Sequence, residues 1–356
     1  MGKSSQNNLV AQKIAARVAE RDSWSTWHTA TPSEVFGMLR KLGFSKSPIP
    51  PPAELDKTFP VQTLDWELIK TMPPQKMAVT WIGHATCLVQ LDGFNILTDP
   101  IFSKRCAPTQ FAGPARYRPT PCSIPELLEQ VTLDVVAISH NHYDHLDYNS
   151  IKALVQHAPN PLVFVVPLGL KSWLQSNISK IEEKHQIIEL DWHESHTLNK
   201  NENGNSLEVM PVPMQHWGSR AGFDRDTTLW CGFSLKSSSK NQSALFCGDT
   251  GWFEEVKEIG DKYGPYDLAM IPIGAYDPYD FMRPQHNNPE DAVKMFNALQ
   301  VKTRAVPIHW GTFQLTREPI MEPRERLVAC LEKEGIDKNK FAPWLIGETV
   351  VLDPSV

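Results

Sequence analysis

Residues 133–147 read Leu-Asp-Val-Val-Ala-Ile-Ser-His-Asn-His-Tyr-Asp-His-Leu-Asp, and this stretch decides the fold of the chain. Its apolar run at residues 135–138 predicts a short buried strand. Four potential metal ligands follow within six positions: His140, His142, Asp144 and His145. His140 and His142 are two residues apart, so they point to the same side of an extended segment. Asp144 and His145 follow once the chain has turned, so the stretch predicts two metal ions at a strand end rather than a polar turn with surface histidines.

Three further potential ligands, His216, Asp249 and His309, each follow a strand-like run later in the chain. Each alone also fits a hydrogen-bonded core or turn residue. The complete set supplies the neutral imidazoles and the shared carboxylate that two close cations need. We assign His140, His142 and His216 to one metal, Asp144, His145 and His309 to the other, and Asp249 to both.

Nitrogen and oxygen ligands of this kind suit zinc, and two zinc ions are the predicted cofactor, although iron and manganese also fit the donor set. A water between two such ions is hydroxide near neutral pH, because metal binding lowers its pKa from about 15.7 to about 7. The ligand pattern therefore predicts hydrolytic chemistry.

The composition is that of a soluble globular protein: the chain has 356 residues, of which 41% are hydrophobic and 21% charged. The formal net charge of -6 argues against a nucleic-acid partner, because proteins that bind nucleic acid usually carry an excess of basic residues. The six cysteines are scattered without a C-x-x-C pair, which indicates reduced thiols and a cytoplasmic location. No apolar run reaches the roughly 18 residues that span a bilayer, so any membrane contact is predicted to be peripheral.

The first 70 residues are predicted to be a partly flexible N-terminal extension (residues 1–70), followed by a catalytic domain at residues 71–356. Residues 8–22 form a helical pattern with a basic face, which fits either a membrane surface or, as favoured here, a solvated face. The prolines of residues 46–60 predict an extended linker. Gln6 stands where the myristoylation pattern requires Ser or Thr, which disfavours acylation of Gly2.

Strand patterns cluster at residues 78–98 and then alternate with helical patterns; one of the later strands is predicted at residues 227–235. This order predicts an α/β chain of the α+β type, with two sheets flanked by helices. The pair Asp92-Gly93 predicts a hairpin. Residues 196–206 are predicted to form a surface turn, and residues 103–122 a long loop. Asp99 ends a strand where it can orient a metal-bound histidine. His84 is either a functional residue of the pocket or a turn residue.

The ligands resemble the metallo-β-lactamase superfamily, whose signature H-x-H-x-D-H is met by His140 to His145 and completed by His216, Asp249 and His309. The resemblance covers residues 77–356. It implies an αββα sandwich of two mixed sheets with the metals at one edge.

A closer resemblance is to the N-acylphosphatidylethanolamine-hydrolysing phospholipase D group. The segments that carry it are Thr80-Trp81-Ile82-Gly83-His84-Ala85-Thr86, Asn95-Ile96-Leu97-Thr98-Asp99-Pro100, Phe111-Ala112-Gly113-Pro114, Ser139 to Asp147, Gly248-Asp249-Thr250-Gly251, Ile271 to Tyr276 and Ile308 to Phe313. It implies a lipid-degrading hydrolase that cleaves N-acylphosphatidylethanolamine to N-acylethanolamine and phosphatidic acid, by attack of a metal-bridging hydroxide on phosphorus.

Three side chains have predicted roles in this reaction, and the role of His286 is the one that the resemblance implies. Asp144 is placed to orient the nucleophile or accept its proton. His286, in the family-like segment Gln285-His286-Asn287-Asn288-Pro289-Glu290, is the candidate that meets the substrate phosphate, with a helix-start residue as the alternative. Arg220 fits either an anionic group of the substrate or a surface role.

The expected partner is a phospholipid at the surface of an intracellular membrane, and the sequence leaves open whether two copies form a homodimer. The runner-up function is hydrolysis of a soluble phosphodiester or a lactone by the same ligands. An apolar groove at the metal edge distinguishes the two. A catalytically inactive scaffold is disfavoured because all seven ligands are present.

Overall fold

The computed structural model describes residues 3–44, 47–200, 204–237 and 241–353; Gly2 lies outside them. The strands are β1 (Met77–Gly83), β2 (Thr86–Leu91), β3 (Phe94–Thr98), β4 (Val135–Ala137), β5 (Val163–Pro167), β6 (Gln186–Leu190), β7 (His196–Lys200), β8 (Asn205–Val212), β9 (Gly232–Ser237), β10 (Ser243–Phe246), β11 (Leu268–Pro272), β12 (Arg304–Ile308) and β13 (Thr349–Leu352). The helices are α1 (Lys3–Asp22), α2 (Pro32–Phe44), α3 (Pro52–Thr58), α4 (Trp66–Lys70), α5 (Ile124–Gln130), α6 (Tyr148–His157), α7 (Leu170–Asn177), α8 (Ile181–Lys184), α9 (Val256–Tyr263), α10 (Tyr279–Met282), α11 (Pro289–Ala298), α12 (Glu322–Glu334) and α13 (Lys338–Phe341).

Two mixed sheets form the body of the described chain. One has the strand order β13-β1-β2-β3-β4-β5-β6 and the other β12-β11-β10-β9-β8-β7. The first is antiparallel from β13 to β3 and parallel from β3 to β6. The second is parallel from β12 to β10 and antiparallel from β10 to β7. The predicted two-sheet α/β architecture is confirmed.

The alternation of side chains along each strand separates two cores. In β2, Leu88 belongs to a cluster with α5 and α6, whereas Val89 belongs to a cluster that includes Leu235 of β9. One face of the first sheet therefore packs on helices and the other on the second sheet. The predicted hairpin at Asp92-Gly93 is confirmed, since Leu91 pairs with Phe94 across it.

The strand directions place the predicted ligands at one edge. In the first sheet β1, β3 and β4 run parallel to one another, and in the second β8, β10, β11 and β12 do so. The carboxyl ends of each set therefore lie at the same edge of their sheet. The candidate site is built from the residues that follow these ends.

The segment of residues 3–44, here named the N-terminal arm, packs on the body. Ile14 of α1 is 4% exposed and joins the main core. The basic face of α1 meets acidic residues of the body: Lys13 Nζ lies 2.7 Å from Glu194 and Arg17 Nε 2.9 Å from Asp191. The favoured solvated-face interpretation is therefore wrong, because the basic side chains have ionic partners within the fold.

Three local predictions are corrected by the structure. Residues 52–58 form helix α3, not a linker, because Pro52 occupies the first helical turn, where a missing N–H costs nothing. Residues 196–200 form β7, a half-exposed edge strand paired with β8. The predicted strand at residues 227–235 begins only at Gly232, since the N–H groups of Leu229 and Cys231 donate to Leu168 and Ser139.

Candidate metal centre

The seven predicted ligands converge at one edge of the two sheets. The ligand loop, residues 139–145, follows β4, while His216, Asp249 and His309 follow β8, β10 and β12. Gly248, just before Asp249, has a φ of 60°, and a Cβ there would lie 2.7 Å from the Ser139 Cβ. Only glycine therefore lets the Asp249 turn approach the ligand loop this closely.

Three imidazoles form the first group. His142 Nδ1 lies 2.9 Å from His140 Nε2 and 3.2 Å from His216 Nε2. Asp249 Oδ2 completes the group at 3.9 Å from His140 Nε2 and 3.8 Å from His216 Nε2. These ring nitrogens converge on a common point, as the ligands of one metal ion do.

The second group also matches the predicted set. Asp144 Oδ2 lies 3.5 Å from His145 Nε2 and 3.3 Å from His309 Nε2. Asp249 Oδ2 lies 3.1 Å from each of the same two imidazole nitrogens. Asp249 therefore contacts both groups, in the position predicted for a shared ligand.

Hydrogen bonds outside the two groups fix the ring orientation of three histidines. His145 Nδ1 donates to Asp99 Oδ2 at 2.6 Å, which is the orienting contact that the sequence predicts for Asp99. Ser139 Oγ donates to the same oxygen at 2.5 Å and accepts from His140 Nδ1 at 2.9 Å. His216 Nδ1 donates to the backbone oxygen of Gln285 at 3.0 Å. The Nε2 atom of each ring is left as the lone-pair donor that a metal requires.

The sequence analysis missed two of these supporting residues. Ser139 precedes the first ligand, but a serine beside a histidine carries no spacing signal of its own. Gln285 acts through its backbone carbonyl, which any residue type supplies.

The charges of the site fit divalent cations. Burial alone would raise the pKa of Asp249, but His145 and His309 outweigh it and hold this pKa well below its usual range. Burial would lower the pKa of His309, but the carboxylates of Asp249 and Asp144 raise it to about 9. The carboxylates of buried Asp249 and partly buried Asp144 thus attract positive charge, which metal ions supply more strongly than protons.

The remaining imidazoles are in the uncharged state that metals bind. Burial lowers the pKa of His140 and His216 well below its usual range and that of His142 to about 4. Among the described residues, buried polar atoms without a hydrogen-bond partner include Asp249 Oδ1 and His145 Nε2. Orphaned donors and acceptors are costly in a protein interior, and metal coordination relieves that cost. The residues present therefore fit a dinuclear metal centre.

Two of the three predicted substrate-binding residues lie elsewhere than expected. His84 is 1% exposed, and its Nε2 lies 3.0 Å from Asp144 Oδ2, so it supports Asp144 rather than facing the cavity. Arg220 donates to the backbone oxygens of Asn141 and Leu146 at 3.0 and 2.8 Å. It lies behind the ligand loop and holds it, because Nη1 donates to both carbonyls and the guanidinium packs on the Tyr143 and Trp173 rings, 4.0 and 4.7 Å from their centres.

His286 is the predicted residue that does reach the site. Its Nδ1 is buried, has no hydrogen-bond partner in the described part of the chain, and lies 3.9 Å from Asp249 Oδ2. Its ring stacks on His309 at 5.1 Å between centroids, and it lines the adjoining cavity.

A cavity of about 380 Å³ opens onto the two groups. Its lining includes His142, Asp144, Asp249 and His286. Much of the rest of the lining is apolar: Trp217, Phe281, Met282 and Leu315 come from the body, and Trp27, Ala30, Val35 and Met38 from the N-terminal arm. A pocket that combines polar chemical groups with apolar walls suits an amphipathic ligand.

The contribution of the arm to this cavity was not predicted. Val35 and Met38 are spaced as one face of a helix, but that spacing does not tell which part of the body the face meets. The contact joins segments far apart in sequence.

The fold and the site together define a hydrolase of the metallo-β-lactamase type with a metal-binding centre. The sequence profile described as "beta-lactamase superfamily domain" matches residues 94–310. The structure of Igni18, a metallo hydrolase from the archaeon Ignicoccus hospitalis, aligns with a TM-score of 0.55 at 21% identity, covering 78% of this chain and 98% of that one.

Two proteins of similar sequence indicate which family of this hydrolase class the chain belongs to. "N-acyl-phosphatidylethanolamine-hydrolyzing phospholipase D 1" of Caenorhabditis elegans is 37% identical over 297 residues, which are 83% of this chain and 80% of that protein. The mitochondrial protein of the same activity name from Saccharomyces cerevisiae is 33% identical over 276 residues, 77% of this chain and 56% of its own. The chain belongs to the family of N-acyl-phosphatidylethanolamine-hydrolysing phospholipases D.

Proposed function

We propose that this protein hydrolyses N-acylphosphatidylethanolamine to N-acylethanolamine and phosphatidic acid, as a phosphodiesterase of the phospholipase D type. The observation that carries the proposal is the largely apolar cavity whose lining includes Asp144, Asp249 and His286. A phosphodiester can reach the metal groups there while an acyl chain lies against the apolar walls. The names of the two relatives support the same substrate.

We propose two zinc ions as the cofactor, held by the seven ligands with Asp249 between them; iron and manganese are the alternatives that the donor set also accepts. Such ions supply Lewis-acid stabilisation of the phosphoryl oxygens and an activated water nucleophile.

The chain's own residues then have distinct tasks. Asp144, held by His84 at 3.0 Å, orients the attacking water or accepts its proton. The free Nδ1 edge of His286 is placed to donate a hydrogen bond to a phosphate oxygen. The water oxygen joins phosphorus, the bond from phosphorus to the ethanolamine oxygen breaks, and that oxygen takes up a proton.

The runner-up, a soluble phosphodiester or a lactone, would use the same ligands. A soluble substrate of this kind has no acyl chain to contact the apolar walls of the cavity, so these walls favour the lipid substrate. The test is to give purified, zinc-loaded protein mixed micelles of N-acylphosphatidylethanolamine and, separately, phosphatidylcholine. We expect N-acylethanolamine and phosphatidic acid from the first and little turnover of the second. Absence of N-acylethanolamine from metal-loaded protein would rule out the lipid substrate and leave the fold intact.

The lipid substrate requires contact with a membrane surface, which we propose is peripheral. None of the helices in the described ranges has the length and apolar character that a bilayer span demands. Phe36, Phe111 and Phe223 are 70%, 84% and 91% exposed. They lie on three segments that also contribute Val35, Cys106 and Arg225 to the cavity lining. Exposed aromatic side chains beside a lipid-sized cavity suit insertion into a bilayer interface.

We therefore expect the double variant Phe111→Ser, Phe223→Ser to bind liposomes more weakly, by about tenfold for each phenylalanine withdrawn from the bilayer. Sedimentation with phosphatidylcholine vesicles measures this. Tyr148→Ser is the matched control, because Tyr148 is also exposed, at 40%, but lies on α6 away from the cavity lining. Equal liposome binding by the wild type, the double variant and Tyr148→Ser would contradict the proposed membrane-binding surface.

A further inference from the structure

Arg21, at the end of α1, is buried although it carries a charge. It is 1% exposed. Its guanidinium makes a two-pronged contact with Asp226: Nη1 donates to Oδ1 at 3.1 Å and Nη2 to Oδ2 at 3.0 Å. Nη2 also donates to Asp22 at 2.7 Å. The arm and the loop before β9 are therefore joined by a paired, shielded ion contact, which is the geometry in which arginine binds carboxylate best.

Two indole rings enclose the same guanidinium. The Arg21 Cζ lies 4.0 Å from the centre of the Trp27 ring and 4.7 Å from that of Trp230. Trp27 belongs to the arm and lines the cavity, while Trp230 belongs to the body. A desolvated cation between aromatic faces adds attraction on both sides. The cavity wall at Trp27 thus depends on the position of Arg21.

Arg21 also reaches the candidate metal centre. Its Nη1 donates to the backbone oxygen of His216 at 3.1 Å. Its partner Asp226 stands next to Arg225, whose guanidinium covers the Trp217 ring at 4.2 Å, and both of those residues line the cavity. One guanidinium therefore touches the arm, the loop of the cavity wall and the segment of a predicted ligand.

Loss of Asp226 would leave the buried guanidinium poorly compensated. Its remaining ionic partner, Asp22, has a side chain that is 47% exposed, and a buried charge that loses a partner is strongly destabilising. The pairing with Asp226 therefore favours the docked position of the arm. Lys13 and Arg17 on the same helix are partly exposed, so their charges are not buried in this way.

We propose that Arg21 is a positioning residue that fixes the N-terminal arm as the wall of the cavity and thereby sets the preference for lipid over small phosphodiesters. The inference rests on the proposed lipid function. It places a determinant of substrate preference outside residues 94–310, the part of the chain that the superfamily profile covers. Arg21 acts through Trp27 and the His216 backbone and does not itself meet the reacting atoms.

The test compares Arg21→Gln, Arg21→Lys and Asp226→Asn with Lys13→Gln as the matched control on the same helix. Each protein is saturated with zinc, its metal content is measured, and it is assayed on N-acylphosphatidylethanolamine micelles and on bis(p-nitrophenyl) phosphate. We expect Arg21→Gln to lower kcat/KM for the lipid by about 30-fold and for the small diester by less than about threefold, since charged hydrogen bonds to the arm are lost but the ligands remain. Arg21→Lys should recover part of the loss, and Lys13→Gln should match the wild type.

Equal loss on both substrates at full metal content, or loss on neither, would overturn the proposal. Asp226→Asn, which removes the same ion pair from the other side, covers the case in which Arg21→Gln does not fold. Hydrogen exchange of residues 23–38 is measured in the same variants without substrate, and it should quicken in Arg21→Gln but not in Lys13→Gln. If the wild type cleaves only the small diester, the proposed lipid function fails. The positioning role is still tested in that case, because an unchanged hydrogen-exchange rate of residues 23–38 in Arg21→Gln would overturn it.

Discussion

The Asp249→Asn variant is expected to lose its bound metal and at least about 1000-fold in kcat, because several kcal/mol of charge stabilisation disappear and each 1.36 kcal/mol is tenfold in rate. Asp249 Oδ2 is the atom that lies 3.1 Å from both His145 and His309 and 3.8–3.9 Å from His216 and His140. Asparagine keeps the shape but removes the negative charge that the two proposed cations would share. Metal analysis of the purified variant and steady-state kinetics on the lipid measure the two losses.

The matched control is Asp147→Asn. Asp147 is 5% exposed and follows the ligand loop, but it accepts hydrogen bonds from Ser103 and Ser150 instead of meeting a predicted ligand. We expect this variant to keep its metal and most of its activity. An Asp249→Asn protein with full metal content and normal turnover would show that Asp249 is not shared between two metals.

Removal of the metal is expected to lower Tm by about 10 °C as well as to abolish turnover, because a ligand bound at 1,000 times its Kd stabilises the folded state by about 4 kcal/mol per site. Without cations, Asp144 and Asp249 keep their charges in a buried site lined by imidazoles. Thermal unfolding with and without a chelator measures the shift, and added zinc should restore both Tm and turnover.

Asp249→Asn serves as the control for this experiment. Its Tm should respond little to the chelator, since it is expected to have lost the metal already. A wild-type Tm that is unchanged by complete metal removal would mean that these ligands do not bind metal in the folded protein.

The sequence was sufficient for the ligand groups because the information is local. His140 and His142 lie on one side of an extended segment, and a strand end followed by a polar side chain recurs at Asp249 and His309. Parallel strands bring such ends to one edge, so spacing within short segments predicts a three-dimensional cluster. The orienting role of Asp99 follows from the same geometry.

Side-chain direction limits such predictions. Arg220 lies four residues after His216 in the sequence, yet its guanidinium turns to the carbonyls of the ligand loop. His84 lies at a strand end like the ligands but is held within the fold against Asp144. Residue type and spacing do not determine which of several polar groups a long or buried side chain will meet.

The N-terminal arm was the least predictable part of the site. From the sequence alone, the basic face of α1 fits solvent or a membrane, and its partners Asp191, Glu194 and Asp226 are seen only in the structure. These partners come from loops that have no pattern of their own. The arm's place as a cavity wall is a property of tertiary packing, which the sequence pattern of the arm does not encode.

The most direct test of attack on phosphorus is to determine which product receives the oxygen atom of water. When the reaction runs in water labelled with heavy oxygen, attack on phosphorus places the label in phosphatidic acid, because the P–O bond to the ethanolamine breaks. We expect labelled phosphatidic acid and unlabelled N-acylethanolamine, detected by mass spectrometry. Label in the N-acylethanolamine, or release of diacylglycerol or free fatty acid in place of these products, would contradict the proposed reaction.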